Sequence, residues 1–189
     1  MPRKKAKESI EKRLERAGLP RLLQPPPLDP TAPHQEYILK SGEKVFGATT
    51  YTKLLPKDLL EWVRGVTMRG KNYKEISKSA MLVGTCLHHH ACRMITGVTT
   101  REELPVTNEE AEAVAVAMRS WNSWWRENKH DLTPIACEIQ LVSENHKYGG
   151  TIDLVALQQG VVTLFDWKTS GKLHKDYWVQ MSAYQRRVS

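Results

Sequence analysis

The sequence predicts a protein of mixed α/β class, and three observations carry that reading. Two runs rich in β-branched and aliphatic residues, Thr151 to Leu157 and Val161 to Trp167, flank Gln158-Gln159-Gly160. Together they have the composition of a β-hairpin, with glycine where a tight turn needs a positive φ. A third such run, Ile135 to Val142, precedes them. Apolar residues at helical spacing surround these strands: Leu87, Ala91, Met94 and Ile95, then Glu109 to Asn128, then a stretch from about Lys175.

From the N-terminus, residues 2–19 read as a short amphipathic helix with Ile10 and Leu14 on one stripe and Arg3, Lys4 and Lys5 available to phosphates. Pro20 to Pro33 is proline-rich, extended and poor in backbone donors, so it reads as a linker. The boundary falls there, giving a basic helix and proline-rich linker over residues 1–33 and a folded domain over 34–189. A length of 189 residues, with 40% apolar side chains and six tryptophans, suits one such domain with a core. The formal charge of +7 points to a polyanionic partner. There is no apolar run long enough to span a membrane and no signal-peptide pattern near Met1, so a cytoplasmic location, with no membrane partner, is expected. Cys86, Cys92 and Cys137 form neither a zinc pattern nor a disulfide framework and read as reduced, buried residues.

Tyr37 to Leu39 and Lys44 to Phe46 read as a small hairpin around Ser41-Gly42. Thr49 to Thr52 then reads as extended, leading into a helix from near Pro56 whose Leu59, Leu60, Trp62 and Val63 form an apolar stripe. In the next helix Gly97 is a stop signal, and His88 projects beside the buried face. The helix over Glu109 to Asn128 has acids in its first turn, where the macrodipole favours them. Of its Trp121, Trp124 and Trp125, at least two read as core, and any exposed one suits stacking on unpaired bases.

The chemistry is concentrated in the hairpin. With Gln159-Gly160 as the loop, Asp153 falls opposite Asp166, where Cβ atoms lie about 4.5–5.5 Å apart and like charges are destabilising. Period-two alternation puts Lys168 on the face of Asp166 and turns Phe165 and Trp167 to the other. Two acids and an amine converging at a strand end suit a hard divalent cation that takes oxygen ligands, and with it metal-assisted phosphodiester hydrolysis. Gly149-Gly150 allows another backbone or a ligand to approach closely. If the strand from Ile135 returns through a turn at about Asn145-His146, Glu138 lies opposite Asp153 and three acids form a row.

These residues carry a resemblance. Gly84-Thr85-x-x-His88, Gly150-Thr-Ile-Asp153, Asp166-Trp-Lys168-Thr169 and Gln180-x-x-x-Tyr184 resemble the motifs of the PD-(D/E)xK nuclease superfamily in its RecB-like exonuclease branch. That branch includes the mitochondrial genome maintenance exonuclease and phage exonucleases. The likeness covers about residues 37–189, with Ile152 in place of the motif's proline. It implies a restriction-endonuclease-like core, a central mixed sheet flanked by helices. It also implies catalysis by Asp153, Asp166 and Lys168 with one or two Mg²⁺ or Mn²⁺ ions. The implied metal ligands are His88, Asp153, Asp166 and the Trp167 backbone carbonyl, with Glu138 acting indirectly or through a water. Gln180 and Tyr184 would line the DNA channel, and Thr169, Lys172 and Lys175 would contact DNA. Iron–sulfur relatives use four cysteines, including a C-terminal group absent here, so no cluster is expected. The resemblance implies a further strand or helix after the last motif, and with Ser189 as the final residue a core truncated at its C-terminus stays open.

The expected function is a metal-dependent DNA exonuclease acting on single strands or free ends in phage or bacterial DNA processing or recombination, with recombination partners in other chains. Two alternatives stay open: a structure-specific or restriction-like endonuclease, and a non-catalytic nucleic-acid-binding module of a recombination complex. The chain has no P-loop, so a helicase partner would be a separate chain.

Overall fold

The computed structural model describes residues 36–52, 59–98 and 106–188. The helix predicted over residues 2–19, the proline-rich linker and the helix start near Pro56 lie outside them.

The small hairpin forms as predicted: β1 (Tyr37–Ile38) pairs antiparallel with β2 (Lys44–Gly47). The threonine-rich run that follows is helical rather than extended. In α1 (Ala48–Thr52) the Thr52 hydroxyl donates to the Thr49 carbonyl at 3.0 Å, and burial of Ala48 and Thr52 holds the turn against the core. α2 (Leu59–Met68) leads to α3 (Tyr73–Thr96). Asn72 caps α3 by accepting the Lys74 amide, and Gly97 ends it at φ 73°, a conformation that a side chain disfavours. α4 (Asn108–Asn128) starts in a capping box, in which the Thr107 hydroxyl accepts the Glu110 amide and the Glu110 carboxylate accepts that of Thr107.

The remaining elements are β3 (Leu132–Ser143), β4 (Tyr148–Gln158), β5 (Val161–Phe165) and α5 (Lys175–Val188). β4 is central. β3 runs antiparallel along one edge over the length of β4, with a bulge at Ile135 beside Pro134. The other edge is shared: β2 pairs parallel with Tyr148 and Gly149, and β5 pairs antiparallel with Leu154 to Gln158. Between those two contacts the edge is left to the side chains of the site.

Gln159 and Gly160 both have positive φ, 50° and 84°, the geometry of a two-residue type I′ turn whose twist matches the strands. The turn sets the register in which Leu154 pairs with Phe165, so Asp153 and Asp166 come next and opposite. β5 stops at Phe165, two residues earlier than the sequence predicts. The Trp167 amide donates to Asp153 Oδ2 at 2.5 Å, so a side chain takes the place of a ladder carbonyl.

One face of the hairpin carries Val155 and Leu164, packed with Tyr184 and Met181 of α5. The other carries Leu154, Ala156 and Phe165, packed with Ile95 of α3, Trp124 and Trp125 of α4, and Trp167. Full burial of a side chain such as Leu154 contributes about 1.5–3 kcal/mol. Trp121, Trp124 and Trp125 all belong to this packing, with the rings of Trp124 and Trp167 4.9 Å apart. The result is a mixed sheet flanked by helices, as predicted for a restriction-endonuclease-like core. Among the described residues no helix is long and apolar enough to cross a membrane.

Candidate metal centre

His88 reaches the sheet because of how α3 is seated. Val83, Cys86, Leu87, Ala91 and Cys92 form its buried stripe. Cys92 rests its thiol on that of Cys137, and this contact together with burial pushes the Cys137 thiol far up. Two small side chains let helix and strand approach closely. His88 lies one turn before Cys92 on the same side of the helix, and Glu138 follows Cys137. The imidazole Nδ1 therefore meets Glu138 Oε1 at 3.2 Å and Asp153 Oδ1 at 3.3 Å.

Glu138 is placed by an irregularity within β3. Its φ is 50°, a left-handed conformation in a residue that is not glycine, which costs about 1–2 kcal/mol. Cys137 pairs with Leu154 and Ile139 with Ile152, so Glu138 faces Asp153 as the predicted register has it. The intervening turn spans residues 144–147, closed by a 2.8 Å bond from the Lys147 amide to the Ser143 carbonyl. Donor atoms of His88, Glu138 and Asp153 all lie within 4.8 Å of one another.

Asp153 is buried, and each of its oxygens is engaged, Oδ1 by His88 and Oδ2 by the Trp167 amide. Asp166 stands beside this group. Its Oδ2 is paired with the Lys168 ammonium, and its Oδ1 accepts a 3.1 Å bond from Gln180 Nε2. The same Nε2 donates to the Tyr184 hydroxyl at 2.9 Å. Gln180 and Tyr184 are 7% and 4% exposed, so what they touch is the acid rather than solvent. Burial pushes the Tyr184 hydroxyl up. Lys168 also lies 5.2 Å from the ring centroid of Tyr177. Thr169, Lys172 and Lys175 are exposed on the segment from Lys168 into α5.

Charge crowding is visible in the protonation equilibria. Burial, with Asp153 nearby, raises the carboxyl of Glu138 above its ordinary value, although His88 opposes the shift. Burial and Asp153 raise that of Asp166 against the pull of Lys168. For His88, burial lowers the imidazole, but Asp153 and Glu138 together overcome it and hold the group well above its usual value. One imidazole nitrogen and several carboxylate oxygens facing inward are donors that fit a divalent cation, which would relieve this repulsion.

The two glycines before Asp153 are explained by side chains rather than by a backbone or ligand. A Cβ at Gly149 would lie 2.1 Å from Tyr37, and one at Gly150 would lie 2.3 Å from Tyr184. Tyr37, whose hydroxyl lies 3.1 Å from Thr151 Oγ1, has no signal of its own in the sequence, because nothing local links a residue of β1 to β4. The paired glycines are the only pointer to it.

A sequence profile of the PD-(D/E)XK nuclease superfamily matches residues 59–188. No curated protein and no solved structure gives a significant match.

Proposed function

The chain belongs to the PD-(D/E)XK nuclease superfamily, and from that premise we propose a divalent-metal-dependent DNA exonuclease of the RecB-like kind that acts on single strands or free ends. The observation that carries this reading is the meeting of His88, Glu138 and Asp153 within 4.8 Å, beside the ion pair of Lys168 and Asp166. His88, Glu138 and Asp153 would hold Mg²⁺ or Mn²⁺, with Asp166 and the Trp167 carbonyl as further oxygen ligands. The donor geometry favours a direct place for Glu138. When bound, the ion supplies charge neutralisation at the phosphate and acidifies an attacking water.

The chain's own residues do the positioning. The Lys168 ammonium, held by Asp166 and seated near the Tyr177 ring, orients a water in line with the leaving 3′ oxygen and stabilises charge developing on the phosphate. Gln180 fixes the orientation of Asp166 and is itself fixed through Tyr184. Thr169, Lys172 and Lys175 offer sequence-independent contacts to the backbone of the strand.

The test is digestion of 5′- and 3′-end-labelled oligonucleotides and a closed single-stranded circle, with Mn²⁺ or with EDTA. Linear strands are expected to be shortened from an end only with metal, and the circle to survive. Cutting of the circle would make the chain an endonuclease. Lys168→Ala and Asp166→Ala are each expected to reduce cleavage about 100-fold or more, with circular dichroism and metal-free DNA binding retained. Undiminished turnover in either variant refutes the assignment.

A further inference from the structure

Beside the acid and lysine lies a cavity of about 510 Å³, between α3, α4 and the segment from Asp166 to Thr169. Its walls are apolar: Val83 and Leu87 from successive turns of α3, Ala117 and Trp121 from α4, and Trp167 at the strand end. At one side the lining changes to Asp166, Lys168 and Thr169, so the cavity is continuous with the proposed reaction centre. Small residues on α4 leave this space open where a larger side chain would close it. Trp121 and Trp167 give the cavity an aromatic wall beside the polar rim.

We infer that this cavity receives one unpaired base of the substrate, that of a nucleotide flanking the phosphate at Lys168. A base is flat and uncharged, suits an apolar wall with aromatic rings, and is tethered to the phosphate that the polar rim would bind. The cavity's volume falls within the range of small-molecule sites. A base still stacked in a duplex is not available to a lateral cavity, so the inference also supplies a reason for discrimination against paired DNA. It rests on the nuclease reading and names the part of the substrate that the site selects.

The test uses the full chain with Mn²⁺ and single-stranded oligonucleotides carrying one abasic position, mapped at nucleotide resolution. One linkage, at a fixed offset from the missing base, is expected to be cut roughly tenfold or more slowly than in the intact strand, within the range that stacking of a base supplies. Ala117→Phe, which fills the cavity, is expected to bring the ratio of intact to abasic rates toward one. Val116→Phe at the exposed rim serves the same purpose if circular dichroism shows Ala117→Phe unfolded. Even cutting past the abasic position, by a protein that Asp166→Ala inactivates, overturns the base pocket and leaves the nuclease reading standing. No metal-dependent cutting of any strand overturns both.

Discussion

As a ligand of the proposed ion, His88 would couple proton binding to metal binding. Burial lowers its imidazole, but Asp153 and Glu138 outweigh that and hold it well above the ordinary value, which favours the protonated form without metal. A protonated nitrogen cannot ligate, so uptake of the proposed ion through His88 would release that proton, and apparent affinity would rise with pH through the His88 pKa. Calorimetry of Mn²⁺ binding in two buffers of different ionisation enthalpy measures the release, and His88→Gln is expected to remove it. The stability of the metal-free protein has a definite sign. A raised folded-state histidine contributes stability that is fully present below its unfolded pKa of about 6.5 and is lost as pH rises through the folded value. Glu138 and Asp166, also raised, hold protons longer in the folded state than in the unfolded one, so they too make stability fall with rising pH. Metal-free Tm should therefore be higher at pH 6 than at pH 8, and His88→Gln should flatten the trend.

At the scale of elements, two strands give up regularity to place their acids. β3 holds Glu138 at φ 50°, which glycine adopts without strain and alanine does not. Glu138→Gly should therefore be more stable than Glu138→Ala by about 1 kcal/mol in urea denaturation without metal, although both lose the same carboxylate. Equal stabilities would mean that the backbone there is unstrained. β4 gives up side chains at Gly149 and Gly150 so that tyrosines can lie on it. Gly150→Ala would drive a Cβ to 2.3 Å from the Tyr184 ring, and that ring anchors α5 and, through Gln180, Asp166. We expect a loss of about 1–3 kcal/mol in stability together with reduced cleavage. Retained activity would show that Tyr184 is free to move aside.

On the scale of the whole molecule, the site is where α3, β3, β4 and the end of β5 meet, so a bound ion would tie the helical layer to the sheet. Binding to the folded state alone stabilises by mass action, about 2.7 kcal/mol at a metal concentration 100 times Kd. Saturating Mn²⁺ is thus expected to raise Tm by several degrees in the native chain and not in Asp153→Asn, read by differential scanning calorimetry. An equal rise in the variant would place the ion elsewhere.

Much of this was legible in the residues themselves. A two-residue turn followed by period-two alternation fixes, within a few peptide units, that Asp153 faces Asp166 and that Lys168 shares its side. Gly97 marks a helix end, and the acids of the first turn of α4 a helix start, by equally local rules. Packing decided the rest. Glu138 and His88 are 50 residues apart in the chain, and only the seating of Cys92 on Cys137 brings them to 3.2 Å. The left-handed turn of backbone at Glu138, the helical rather than extended run at Ala48 to Thr52, the tyrosines over Gly149 and Gly150, and the cavity between α3 and α4 likewise depend on partners distant in sequence. Hydrogen-bond geometry and side-chain period act between near neighbours and can be read from the chain. The approach of a helix to a sheet is set by the volumes of all the side chains between them, and the folded structure alone shows that sum.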